Sequence, residues 1–136
     1  QALDLVSDEC TVAWVAKNDP LSYPESLRNA LGKRADFVFC NVHEREWIDA
    51  AMHGRERPEA MIIETDGARP VKADFKGKVE YLDVPKLSFN DASGAGDTLA
   101  GGCLAAIGGG ETDAREIAAA GIVASTALLQ RRSIKD

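Results

Sequence analysis

Three short apolar runs, residues 11–16 (TVAWVA), 35–40 (ADFVFC) and 60–64 (AMIIE), most constrain what this chain can fold into. Each is short, nearly continuous and rich in β formers, the pattern of a strand covered on both faces. Helical signals separate them. Pro24 suits the first turn of a helix near residues 25–31, and Gly32 is expected to close it. A second helix is expected at roughly residues 44–52, closed by Gly54. Strands that alternate with helices in this way build an α/β fold with a mostly parallel sheet flanked by helices.

Beyond the third run the pattern changes. Thr65-Asp66-Gly67 reads as a turn. Residues 71–75 and 79–84 alternate in polarity and are joined by Lys-Gly-Lys at 76–78, the signal of a partly exposed antiparallel hairpin. A Gly-rich turn at 93–96 then opens an apolar helix near residues 97–107, which the glycines at 108–110 break. Thr112 and Asp113 cap a last helix to about residue 129. Residues 1–9 read as the end of another helix. In open α/β sheets ligands bind beyond the carboxyl ends of the strands. Asn41, Thr65 and the 93–97 turn would all lie at such ends.

Composition narrows the function. The 136 residues fit one domain, and an apolar fraction of 45% can fill a core. The net charge of -6, without a basic cluster in aromatic company, argues against nucleic acid. No apolar stretch approaches the ~20 residues of a membrane span, and no signal-peptide pattern opens the chain. Cys10, Cys40 and Cys103 are odd in number and widely spaced, which fits neither a metal pair nor a disulfide framework. They are expected as buried free thiols, in keeping with a reducing cytoplasm. Trp14 and Trp47 are expected in the core, His43 and His53 at the surface. The first residue is Gln, so a piece of a longer protein is expected.

The stretch Asp91-Ala92-Ser93-Gly94-Ala95-Gly96-Asp97-Thr98 carries most of the chemical information. Small residues leading into a helix let backbone N–H groups approach a ligand closely, and at a helix N-terminus those donors favour an anion. A carboxylate at Asp97 can take a proton from an attacking hydroxyl, or it can simply cap the helix. The spacing is that of neither a Walker A loop nor GxGxxG. Asn41 and Glu44, on either side of a strand-to-helix turn, offer hard oxygen ligands that suit Mg2+ through water, or they form a capping box. The hydroxyl of Thr65 and the amide of Gly67 suit a phosphate or ribose, or belong to an ordinary turn.

Residues 91–97 resemble the DTxGAGD motif of the ribokinase (PfkB) family of carbohydrate and nucleoside kinases, and Thr98-Leu99-Ala100-Gly101-Gly102 resembles the small-residue helix that follows it. The resemblance implies that Asp97 is the catalytic base and that the amides of Gly94, Ala95 and Gly96 form the anion hole for the transferred phosphate. Asp91 and Ser93 match the part of the motif associated with a monovalent cation such as K+. Ala92 and Leu99 depart from the common Thr and Phe, and Cys103 from an apolar or small residue. These departures bear on cation activation more than on catalysis. Asn41 and Glu44 match the NxxE element that organises Mg2+ and the nucleotide phosphates. Thr65 and Gly67 match a T-x-G turn that touches the nucleotide, although Pro70 stands where a second Gly often follows.

The resemblance covers residues 1–136 but only the C-terminal, ATP-binding half of the family's fold. It implies that the N-terminal half, with the acceptor-binding strands and the lid, belongs to the same protein outside this chain. The implied activity is ATP-dependent phosphorylation of a hydroxyl on a sugar, a nucleoside or a related small alcohol. ATP and Mg2+ are the implied cofactors, with K+ a further candidate. No nucleic-acid or membrane partner is expected, and a homodimer is among the assemblies to test. Two other readings stand beside it: an inactive nucleotide-binding or regulatory module of the same fold, and an α/β domain with no nucleotide site.

Overall fold

A computed structural model of the chain describes residues 9–16, 24–85 and 95–135. The elements are β1 (Ala13–Val15), α1 (Glu25–Arg34), β2 (Phe37–Asn41), α2 (Arg45–Met52), β3 (Met61–Asp66), β4 (Arg69–Phe75), β5 (Lys78–Leu82), α3 (Ala95–Gly108) and α4 (Ala114–Lys135). The described strands form one five-stranded sheet in the order β1-β2-β3-β4-β5. β1 and β2 pair in parallel, as do β2 and β3, with Phe37 opposite Met61 and Asn41 opposite Thr65. β4 runs antiparallel to both β3 and β5. Four of the five strands therefore share a direction, which is the mostly parallel sheet with an antiparallel hairpin that the apolar runs imply.

Both faces of the parallel strands are covered, so their sequence has no polar side. Trp14, Val38, Cys40 and Ile62 point to one face and pack with Ile48 and Ala51 of α2. Phe39, Met61 and Ile63 point to the other and pack with Leu99, Cys103, Ile117 and Ile122 of α3 and α4. Ile48 and Ile117 are fully buried, each contributing roughly 2 kcal/mol through the apolar surface it removes from water.

Several boundaries differ from the sequence reading, each for a physical reason. Gly32 does not close α1, which runs on to Arg34. A Cβ at Gly32 would stand 2.5 Å from the carbonyl carbon and oxygen of Ala51, so this glycine lets α1 and α2 touch. Thr65 and Asp66 are not in the turn. They end β3, because Thr65 still pairs with Asn41 and Asp66 with Arg69. Gly67, at φ 58°, makes the turn with Ala68, and Pro70 lies in β4. β3 and β4 thus form a hairpin that the sequence reading lacked. In the next hairpin Lys78 belongs to β5, and Lys76 and Gly77 turn the chain with φ of 51° and 77°. Two positive φ angles in succession match the twist of a two-residue loop.

α3 begins at Ala95, so Gly96 and Asp97 lie inside its first turn. α4 reaches Lys135, well past residue 129. Asp113 caps it by accepting the Arg115 N–H at 2.8 Å. Cys40 and Cys103 are buried free thiols, but Cys10 is exposed, since it precedes β1 in the polar stretch Ser7-Asp8-Glu9. Trp14 is 2% exposed and packs on Trp47 with ring centroids 5.6 Å apart. His43 and His53 are exposed. Residues 1–8 of the helix expected over 1–9 and the loop at 18–20 lie outside the described residues, and Glu9 is in a turn. Among the described residues no helix is long and apolar enough to cross a membrane.

Candidate functional site

Beyond the carboxyl ends of β1, β2 and β3 lies a cavity of about 210 Å³. Its walls are Val15 of β1 and Ala16 just after it, Phe39, Cys40 and Asn41 from β2, Glu44 from the following turn, Ile63 and Thr65 from β3, and Gly96, Asp97 and Leu99 from α3. Parallel strands deliver their polar C-terminal residues to one edge, and α3 points its first turn at the same place. Asn41, Glu44, Thr65, Gly96 and Asp97, from three separate motifs, therefore meet around one space.

Asn41 and Glu44 hold each other. The Asn41 N–H donates to Glu44 Oε1 at 2.9 Å, and the Glu44 N–H donates to Asn41 Oδ1 at 2.9 Å. This is the reciprocal pattern of a capping box, placed in the turn just before α2, whose N-cap is Glu44 itself. The two readings of the motif are therefore compatible. Glu44 is buried yet lines the cavity, and a carboxylate has accepting capacity beyond one hydrogen bond. Thr65 is fixed on both sides: its hydroxyl donates to the Cys40 carbonyl at 3.3 Å, and its carbonyl accepts the Val42 N–H at 2.8 Å. With its proton so used, Thr65 Oγ1 keeps only accepting capacity toward the cavity it lines.

Gly96 differs from Gly32, Gly102 and Gly121, the helical glycines that sit in close contacts. A Cβ there would meet nothing within 4 Å among the described residues, as at Gly101 and Gly108, and its φ is not in the left-handed region. What sets Gly96 apart from Gly101 and Gly108 is its place in the cavity lining, where a missing Cβ leaves room for close approach. Asp97, exposed and in the same turn, borders the cavity. Cys40 is a wall rather than a nucleophile: burial, followed by the nearby Glu64 carboxylate, pushes its thiol up to about 12.

Not every expected site residue reaches this space. Gly67 makes the β3–β4 turn and is not among the lining residues. Ala95 opens α3. Asp91, Ser93 and Gly94 lie outside the described residues. Among the described residues no group of three or more His, Cys, Asp and Glu could hold a metal. A cation at the cavity would therefore need water and ligand oxygens to complete its shell.

Sequence reasoning missed an ion cluster behind the cavity. Arg45, the first residue of α2, binds Asp49 at 2.8 Å, Glu64 of β3 at 3.2 Å and Asp74 of β4 at 2.9 Å. Burial works against its charge, but the hydrogen bonds to Asp49 and Asp74 more than offset this and raise its pKa further. The available signal was Glu64 itself, a charge at the end of an apolar strand that needs a cationic partner.

Comparison with protein-family models gives no match, and comparison with curated proteins gives none. Solved structures do match. The nucleoside kinase of Methanocaldococcus jannaschii, an archaeal member of the ribokinase family, superposes with a TM-score of 0.77 at 21% identity over 95% of this chain and 44% of its own. The adenosine kinase of Trypanosoma brucei brucei gives 0.71 at 18% identity over 88% of this chain and 43% of its own. A ribokinase of Thermotoga maritima gives 0.66 at 17% identity over 86% of this chain and 41% of its own. This chain thus spans less than half the length of the kinases it matches, and over that span it has the ribokinase-like fold.

Proposed function

We propose that this chain is the nucleotide-binding and catalytic part of a ribokinase (PfkB) family kinase, which transfers the γ-phosphate of ATP to a hydroxyl of a sugar, nucleoside or related small alcohol. The observation that carries this reading is the cavity where Asn41, Glu44, Thr65, Gly96 and Asp97 converge at the carboxyl edge of the sheet. Asp97 is the general base that takes the proton of the attacking hydroxyl. The amides at the start of α3, with those of Gly94 and Ala95, hold the oxygens of the transferring group, where the helix dipole favours negative charge. Asn41 and Glu44 would hold a hydrated Mg2+, and their oxygen donors fit that ion. When bound, Mg2+ supplies charge neutralisation at the phosphates. Thr65 in the cavity wall, and Gly67 in the β3–β4 turn outside that wall, would contact the nucleotide. Asp91 and Ser93 remain the candidates for K+. The two buried thiols suit a reducing compartment such as the cytoplasm.

Acceptor binding and closure over the site fall to an N-terminal half of the same protein outside this chain. A second reading, an inactive nucleotide-binding module of the same fold, would keep the cavity without phosphate transfer. Asp97→Asn separates the two. In the longer kinase, Asp97→Asn should lower phosphate transfer by roughly 10²–10⁴-fold with Mg·ATP affinity nearly unchanged, read by coupled ADP release and calorimetry. Undiminished transfer would remove Asp97 as the base. Tight Mg·ATP binding with no transfer to any hydroxyl acceptor by the native protein would favour the second reading.

A further inference from the structure

Three carboxylates converge on one guanidinium directly behind the cavity wall, each on a different nitrogen: Asp49 on Nε, Glu64 on Nη1 and Asp74 on Nη2. The partners come from three elements, α2, β3 and β4. Glu64 is the residue just before Thr65 and stands opposite Cys40, while Thr65 stands opposite Asn41. Arg45 in turn directly follows Glu44. The bond from Arg45 to Glu64 therefore closes a ring around the turn that presents Asn41 and Glu44. One side of that ring is the β2–β3 pairing, and the Val42 N–H to Thr65 carbonyl bond at 2.8 Å crosses it.

We propose that Arg45 is a positioning residue for the nucleotide site: by tying the first turn of α2 to Glu64 of β3, it fixes the Asn41–Glu44 turn at a set distance from Thr65. The inference rests on the kinase reading for its consequence but not for its geometry. Three features argue for Arg in particular. Its planar fork addresses separate carboxylates in fixed directions, which a Lys ammonium cannot do. The Arg45 and Glu64 side chains are only 19% and 11% exposed, so water screens their contact weakly. Asp49 is an i,i+4 neighbour on α2, which holds the guanidinium in place without involving the sheet. Asp74 lies on β4, outside the cavity lining and one strand further from Asn41 than Glu64, so its bond to Arg45 anchors α2 to the sheet without touching the strand that carries Thr65.

The test compares Arg45→Lys with Asp74→Asn in the 136-residue chain. Three readouts are used: melting temperature, Mg·ATP affinity by calorimetry, and amide hydrogen exchange at Val42 and Glu44 relative to Ile63. If Arg45 positions the turn, Arg45→Lys weakens Mg·ATP binding roughly tenfold. It also speeds exchange at Val42 and Glu44 well beyond Ile63. Asp74→Asn lowers the melting temperature but leaves affinity and the relative exchange at the turn unchanged. If Arg45→Lys lowers the melting temperature alone, with uniform exchange and unchanged affinity, the cluster is structural and the proposal fails. If the native chain binds no Mg·ATP, the kinase reading loses its support, and the exchange comparison still decides the role of Arg45.

Discussion

The glycines of helix α3 sit in two settings: Gly102 along the contact with α4, and Gly96, Gly101 and Gly108 where a Cβ would meet no described residue within 4 Å, Gly96 alone of these lining the cavity. At the contact, a Cβ on Gly102 would lie 2.7 Å from the Ala124 Cβ and 2.8 Å from the Ala120 carbonyl oxygen. From the other side, a Cβ on Gly121 of α4 would lie 2.5 Å from Cys103 Sγ and 2.7 Å from the Leu99 carbonyl oxygen. These glycines let two helices approach closely, and their neighbours are backbone and packed side chains that cannot move aside. In the first turn, Gly96 borders the cavity and a Cβ there would meet nothing within 4 Å. The same residue type thus answers to the protein's own packing in one setting and to open space in the other. Openness alone does not mark a site, since Gly101 and Gly108 are open too; Gly96 stands out because it also lines the cavity, where a missing Cβ leaves room for a ligand.

The sharpest way to break this comparison is to add bulk at the contact. Gly121→Leu should destabilise the chain by about 3 kcal/mol, because overpacking a close helix contact forces backbone shifts; chemical denaturation measures it. A loss under ~1 kcal/mol would mean that the seam between α3 and α4 is looser than described. Gly32→Ala tests the same principle on the opposite face of the sheet. It should cost about 2 kcal/mol, the clash with α2 outweighing the better helix propensity of Ala. Adding Ala51→Gly should not restore stability, since two of the three close contacts are with Ala51 backbone atoms.

A smaller effect should appear with pH. Burial pushes the Asp36 carboxyl up, but the Val12 amide and the Arg34 and Arg57 guanidiniums outweigh it and hold the pKa below the usual value. Its stabilising contribution is thus complete above the ordinary Asp pKa and is lost as pH falls through that value to the lower folded one. Asp36→Asn should lower stability near neutral pH by on the order of 1 kcal/mol and flatten the acid limb of a stability-versus-pH curve. An unchanged acid limb would remove Asp36 as its source. The smallest effect on stability bears most on function. Gly96→Ala should leave stability unchanged or raise it by up to ~1 kcal/mol, since Ala is the better helix former. Mg·ATP affinity should nevertheless fall measurably in the same variant. A clear loss of stability would place Gly96 with the packing glycines and remove the contrast.

The strands and their sequence along the chain were legible because each of β1 to β3 is covered on both faces, which leaves a nearly continuous apolar run, whereas their order in the sheet came from the structure. The convergence of Asn41, Thr65 and the start of α3 was legible for a related reason: alternation of strand and helix directs the carboxyl ends of parallel strands to one edge. Boundaries were less so. Gly32 reads as a helix end in sequence, yet the space it vacates is filled by α2, a neighbour that local patterning does not reveal. Thr65 and Asp66 read as a turn, but pairing with Asn41 and Arg69 keeps them in the strand.

The sequence by itself determined the α/β class, the polar residues at the sheet edge and the likeness of residues 91–97 to a kinase motif, because these depend on periodicity and short-range chemistry. Tertiary structure alone decided which glycines are packed and which face the cavity, that Asn41 and Glu44 hold each other while lining it, and that Arg45 gathers Asp49, Glu64 and Asp74. Close approach and ion pairing are properties of distance in space. Arg45 and Asp74 are 29 residues apart along the chain and 2.9 Å apart in the fold, a proximity that only the packing of α2 against the sheet creates.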